Sequence, residues 1–319
     1  MLFLVAYWQD LQEVNSQMRI KSADNKSKRV ALLQELQNSP RSEDWQKKRL
    51  SDELIKVRRG IKGEKDAAHY LDNHFIDGKN HALIHDLRLE VDGEVAQIDH
   101  LLISRLLHFY LLETKNFGGD LTISPHGEFS VNYGAERIHN IPSPIEQSKR
   151  HENVLRRLLT KLDITGRAGV GLRFKHVVLI DPKAAISRPN PKVFDTSMVI
   201  GADQFRTCHL AYVDKDISTA DVLTSMLNFQ GTDTLRQTAK KICRQHRPEN
   251  LLRMPDWLQP QSVKPQTAVT VNQPTLEKRK KLICLSCNSK ISYDEGKFCW
   301  NNEKRFNGGQ FCRAHQAAF

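Results

Sequence analysis

No stretch of the 319 residues stays apolar for anything near the length that a bilayer crossing requires. The opening residues, Met1 to Trp8, are apolar, but no basic segment precedes them and no small-residue cleavage site follows. They read as the start of a packed helix, not as a secretory leader. Cysteine is sparse, six residues at uneven spacing, without the rhythm of a disulfide framework. A reducing, cytoplasmic setting is therefore expected. Acidic side chains are in deficit: 37 Asp and Glu against 48 Lys and Arg, a net charge of +11. That balance favours a polyanionic partner, most simply nucleic acid; the alternative is a merely soluble basic protein.

What is present centres on two apolar strand patterns, VAQIDHLLIS (95–104) and HFYLLETKN (108–116). Both are rich in β-formers. Side chains two apart on a strand share a face, so Glu113 and Lys115 point together and Thr114 points away. A hairpin turning near Leu106 and Leu107 brings Asp99 opposite them. Two carboxylates and an ammonium then meet at one spot, on strands whose flanks look buried, where charge is costly unless used. Such a group can hold a divalent cation through hard oxygen ligands beside a reacting water.

Residues 1–60 read as helical and charged. Leu11, Val14 and Met18 recur at helical spacing, as do Leu50, Leu54, Val57 and Ile61. Ser39–Pro40–Arg41–Ser42 breaks the pattern, and Ser42, Glu43 and Asp44 look like a helix start. Lys47, Lys48, Arg49, Arg58 and Arg59 form a basic run able to touch phosphate. A helix over 63–75 has its apolar stripe at Ala67, Tyr70, Leu71 and Phe75, with Glu64 in the first turn. His81 to Val91 follows as the first core strand, closed by an Asp92–Gly93 hairpin turn. Phe117–Gly118–Gly119 leaves the sheet. Residues 121–133 read as a hairpin around His126–Gly127, and Arg137, His139 and Asn140 as a loop. Pro144 to Leu162 reads as a helix with Gln147 and His151 on one face. Strands over 174–181 and 199–200, a helix from Ala202 and two helices over 218–246 complete an α/β alternation, a sheet covered by helices.

A Pro- and Gln-rich stretch, 259–275, marks a linker. Beyond it stand Cys284-x-x-Cys287 and Cys312-x-x-His315, two knuckles whose thiolates and imidazole suit one tetrahedral zinc ion. Cys299, beside Trp300, is held in reserve as an alternative ligand. So short a segment cannot build a core alone, and metal would supply its folding energy. Lys278, Arg279, Lys280 and Lys281 lie just before it, suited to phosphate contact. Cys208 and Cys243 read as ordinary packed thiols. The expected division is 1–60 helical, 61–250 α/β with its core at 61–165, 251–279 linker and 280–319 zinc module.

In order along the chain, Gly63–Glu64–Lys65, Gln97–Ile98–Asp99–His100, Leu112–Glu113–Thr114–Lys115–Asn116 and Pro144–Ile145–Glu146–Gln147–Ser148–Lys149–Arg150–His151 resemble the NERD, or nuclease-related, domain of the PD-(D/E)xK superfamily. The resemblance spans roughly residues 60 to 165, about a third of the chain. It implies a restriction-endonuclease-like mixed central sheet flanked by helices, here with an N-terminal helical arm and a small C-terminal zinc module. It implies Mg²⁺-dependent (or Mn²⁺-dependent) hydrolysis of DNA, with RNA as the alternative substrate. Asp99 and Glu113 would bind the metal with Glu64 as accessory carboxylate, Lys115 would position the water, and Gln147 would orient it. Lys149 and Arg150 would contact nucleic acid. One site per chain makes a homodimer one route to cutting both strands. Two rival readings remain: a non-catalytic nucleic-acid-binding fold with a finger, and a protein-interaction scaffold.

Overall fold

The computed structural model describes residues 18–134, 137–166, 170–215, 227–258, 282–287, 289–306 and 309–317. The chain divides between Pro255 and Asp256 into two compact units. In the first, the strands in chain order are β1 (Arg19–Lys21), β2 (His81–Val91), β3 (Glu94–Ser104), β4 (His108–Lys115), β5 (Asp120–Ile123), β6 (Phe129–Asn132), β7 (Ile138–Ile141), β8 (Arg173–Ile180), β9 (Ile186–Ser187) and β10 (Val199–Gly201). The helices are α1 (Ser27–Asn38), α2 (Asp44–Phe75), α3 (Pro144–Lys161), α4 (Phe205–Lys215) and α5 (Thr232–Cys243).

One sheet has the order β1-β2-β3-β4-β8-β10. Its middle is a pair of antiparallel hairpins. The first turns at Asp92 (φ 53°) and Gly93 (φ 79°), both left-handed as a twisted two-residue turn requires. The second turns through Leu107, at φ 56°. The outer strands are parallel to their neighbours, β1 to β2 and β8 to both β4 and β10, so the sheet is mixed. Helices cover both faces. On one, Val154, Leu155, Leu158 and Leu159 of α3 and Leu235, Ala239 and Ile242 of α5 join Leu101, Phe109 and Leu111. On the other, Ala67, Leu71 and Phe75 of α2 and Phe205 of α4 join Leu102, Tyr110, Leu112, Val177 and Leu179. The alternation along β4, odd residues to one cluster and even to the other, follows from the two-residue period of a strand.

Three readings of the sequence need correction. The stretch before residue 60 is not wholly helical, because Arg19–Lys21 adds a short strand at the sheet edge; three residues are too few to carry a period that would announce it. No helix opens at Gly63. A single helix of 32 residues runs from a capping box at Glu43 and Gln46, so Glu64 sits well inside it, not in a first turn. Its buried stripe of Leu50, Leu54, Gly63, Ala67 and Leu71 carries it through Gly60 and Gly63. Gly63 is required by a neighbour, since a Cβ there would lie 2.7 Å from Cβ of Asn116, just past β4. The third correction concerns Ile138 to Asn140, which are strand, not loop.

That strand, β7, belongs to a second sheet of order β7-β6-β5-β9. Ile138, His139 and Asn140 are exposed, so no apolar alternation marks them; pairing with β6 makes them strand. This sheet packs Leu121, Ile123, Phe129 and Val131 against Val178, Ile180 and Val199 of the first. Of the pattern over 218–246, α5 lies among the described residues and 216–226 do not. Met1 to Trp8, Leu11, Val14 and the linker over 259–275 also lie outside them.

Among its described residues the second unit holds three short α-helices, Tyr293–Asn301, Glu303–Phe306 and Arg313–Gln316. Its apolar centre is small: Ile291, Phe306 and Phe311 around Cys284 and Cys299.

Candidate active site

Three elements converge at the carboxyl end of β4. The first is β4 itself, which presents Glu113 and Lys115 on one side, their Oε1 and Nζ 2.8 Å apart. The second is α3. Ser143 caps it by accepting from the Glu146 N–H at 3.3 Å, and Pro144 begins it, so the first turn is fixed where Gln147 emerges. Gln147 Nε2 donates to Glu113 Oε1 at 2.7 Å, and Gln147 Oε1 accepts from Lys115 Nζ at 3.1 Å. One turn on, His151 Nδ1 stands 3.7 Å from Glu113 Oε2. The third element is β3, where Asp99 Oδ2 accepts from the Thr114 backbone N–H at 2.8 Å. Gly118 then turns the chain away at φ 71°, against the guanidinium of Arg59.

Asp99, Glu113, Lys115 and Gln147 line a pocket of about 800 Å³ together with Asp52, Glu64, Lys56, Arg59, Phe117, Tyr133 and His139. Of the residues singled out in the sequence, Glu64, Asp99, Glu113, Lys115 and Gln147 are thus together. Lys149 and Arg150 are exposed and absent from that wall, with Lys149 paired to Glu146 at 2.7 Å. The positive charge on the wall comes instead from Lys56 and Arg59 of α2. Lys278 to Lys281 lie outside the described residues.

The electrostatics are those of crowded acids. Burial, then the charges of Glu113 and Glu64, push the Asp99 carboxyl well above the usual range, against the Thr114 N–H and Lys115. Burial also raises Glu113 and Glu64, with Lys115 and Lys26 respectively pulling each back. His151 is lowered to about 4 by burial and by Lys115 and Arg150, so it faces Glu113 as a neutral ring.

A folded-state carboxyl raised in this way binds protons more readily than its unfolded counterpart. Its contribution to stability is favourable in acid and is lost as pH rises through the raised value. Asp99→Asn, which still accepts from Thr114, is therefore expected to melt higher than the parent at pH 8 without added divalent metal. The rise should be at least about 2 °C, the shift that ~1 kcal/mol gives in a domain of this size, and it should shrink toward pH 4. Melting curves at the two pH values check it.

Behind the carboxylates runs a buried chain of hydrogen bonds. Asp72 Oδ1 lies 3.1 Å from His85 Nε2, His85 Nδ1 lies 2.7 Å from His100 Nδ1, and His100 Nε2 lies 3.1 Å from Thr114 Oγ1. His85 donates from Nε2 to the Asp72 carboxylate, and the His85–His100 and His100–Thr114 contacts each pair one donor with one acceptor. The chain ties β3 and β4 to α2 beside Asp99.

Two residues near the site carry no motif. Asp86, 3% exposed, interrupts β2 at φ 53°. The register on either side, His85↔His100 and Leu87↔Ile98, sets it across from Asp99. Side chains joining the α3-side core change phase there, from Ala82 and Ile84 to Leu87 and Leu89. Asp86 accepts from the Gln97 side chain and from the Asp24 N–H. Lys26, just before α1, bonds Glu64 at 2.6 Å. The one sequence signal was an Asp amid the apolar run ALIHDLRLEV.

In the second unit, the ligand atoms of Cys284, Cys287, Cys312 and His315 all lie within 4.8 Å of one another. Sγ of Cys287 and Cys312 are 3.9 Å apart, and His315 Nδ1 is 3.8 Å from Cys284 Sγ. A tetrahedron with metal–sulfur bonds of about 2.3 Å has edges of about 3.8 Å, so the set fits one ion. Cys299 is not in it; its Sγ accepts from the Phe311 N–H at 3.3 Å.

No helix among the described residues is long and apolar enough to cross a membrane. Neither a curated protein nor a solved structure matches the chain. Residues 59–180, the span that gathers Glu64, Asp99, Glu113, Lys115 and Gln147, match the family of the nuclease-related domain, NERD, and the chain carries a nuclease-related domain there.

Proposed function

We propose that this protein is a metal-dependent nuclease that hydrolyses phosphodiester bonds in DNA. The observation that carries the reading is the interlocked Glu113–Lys115–Gln147 group beside Asp99, open to a pocket with basic side chains on its wall. Asp99 and Glu113 fit a hard divalent cation, because their carboxyls are pressed together and buried, an arrangement a cation relieves. Mg²⁺, with Mn²⁺ as substitute, would neutralise the scissile phosphate and lower the pKa of a water.

The chain's own groups supply the rest. Lys115 holds an ammonium beside the reacting phosphorus, where negative charge grows in the transition state. Gln147 offers an amide that positions the attacking water and fixes Glu113 against rotation. Lys56 and Arg59 draw the phosphate backbone into the pocket. In the second unit, three thiolates and an imidazole select Zn²⁺, and the basic segment 278–281 next to that module adds phosphate contacts. One such site cuts one strand, so double-strand scission calls for two copies or two events.

Supercoiled plasmid tests the reading. The protein should nick it with Mg²⁺ or Mn²⁺ and not without, and Glu113→Ala should leave it intact. Equal cutting by both proteins would sink the proposal. A gel shift without scission by either would point to the non-catalytic binding fold.

A further inference from the structure

The nuclease reading leaves Lys26 and Asp86 without a task, yet both are built into the carboxylate cluster. Lys26 Nζ lies 2.6 Å from Glu64 Oε2 and 3.6 Å from Asp86 Oδ1, with its side chain 19% exposed. The segment that carries it is pinned to the sheet. Lys21 Nζ donates to the carbonyls of His85 at 3.2 Å and Asp86 at 2.9 Å. Asp24 bonds Lys21 at 2.7 Å, His246 at 2.8 Å and, through its N–H, Asp86 Oδ2 at 3.1 Å. Asp86 itself takes a left-handed backbone, costly for any residue with a Cβ, to bring its carboxylate there.

Charge counts in the same direction. Among the groups that bond or face one another there, Glu64, Asp86, Asp99 and Glu113 are carboxylates and Lys26 and Lys115 are ammoniums, so on the Glu64–Asp86 side Lys26 already offsets one of the acids.

Resting on the nuclease reading, we propose that Lys26 is the resident cation of the Glu64–Asp86 side, a positioning residue that confines the pocket to a single divalent ion. Glu64 is then a partner of Lys26, not a metal ligand. Removing the ammonium frees two carboxylates beside Asp99 and opens a second position.

Calorimetric titration of the zinc-loaded full chain with Mn²⁺ reads the count directly. One ion per chain is expected for the parent and for Lys26→Arg, and two for Lys26→Met, with folding checked by melting. Should the Met variant fail to fold, Lys26→Gln, which keeps a donor toward Glu64, carries the same expectation of two. Two ions in the parent, or one in a folded Lys26→Met protein, overturn the proposal. No ion in the parent and one in Lys26→Met would uphold the resident cation while removing the metal-dependent nuclease; none in either overturns both.

Discussion

A Lys115→Met protein is expected to cleave about 10²–10³-fold more slowly than the parent, the loss typical of one preorganised charge removed from a transition state. Its affinity for Mn²⁺ should hold or rise over the same substitution. Lys115 is the first charge that pulls the Glu113 carboxyl back down against burial, so without it the carboxyl holds any cation, proton or Mn²⁺, more tightly. Rate and metal binding therefore move apart, which a general loss of structure would not produce. Single-turnover nicking rates beside a Mn²⁺ titration separate the two. Met preserves the length of the stem, so packing against Gln147 changes little. Parental cutting by this variant would remove Lys115 from the chemistry and leave the pocket without its reason to be a nuclease site.

Stripping metal from the second unit is expected to unfold that unit outright while the first keeps its melting temperature. Few apolar side chains bind the unit together, Ile291, Phe306 and Phe311 with Leu282 at the margin. A structural zinc site contributes on the order of 10 kcal/mol or more of apparent folding free energy, as much as the whole stability of an ordinary domain. The three cysteine sulfurs brought within 4.8 Å of one another also repel as thiolates once the ion is gone. Far-ultraviolet circular dichroism before and after chelation, with recovery on adding Zn²⁺, measures it. Cys312→Ser should mimic chelation, because Cys312 touches both Cys287 and His315. Cys299→Ser should keep its metal, since that sulfur receives the Phe311 N–H instead. A second unit that stays folded without any ion would show that its apolar centre suffices.

Much of the site was legible because it lies on regular elements. The alternation in HFYLLETK fixed which side Glu113 and Lys115 take, and Pro144 behind Ser143 announced the helix that delivers Gln147. What stayed hidden lies where regularity fails. Asp86 reads as a misplaced acid in an apolar strand, and only its left-handed backbone gives it a direction of its own. Lys26 follows a three-residue strand too short to carry a period, and its partner Glu64 is 38 residues away. Gly63 looked like the opening of a helix, but α2 passes through it, and the missing side chain there leaves room for Asn116. The exposed strand β7 has no apolar face to betray it.

The three hydrogen bonds among Glu113, Lys115 and Gln147 close a ring, each residue touching the other two. A lysine that swings freely loses roughly 1.5–2 kcal/mol of rotamer entropy when it is held in one place. Here that loss, and the smaller one of Gln147, is met during folding by the packing of α3 on the sheet. A substrate entering the pocket finds the ammonium already still. The disorder that an arriving ligand would otherwise have to quench has been taken out of the reaction in advance, and the temperature dependence of the chemical step should carry a correspondingly small entropic barrier.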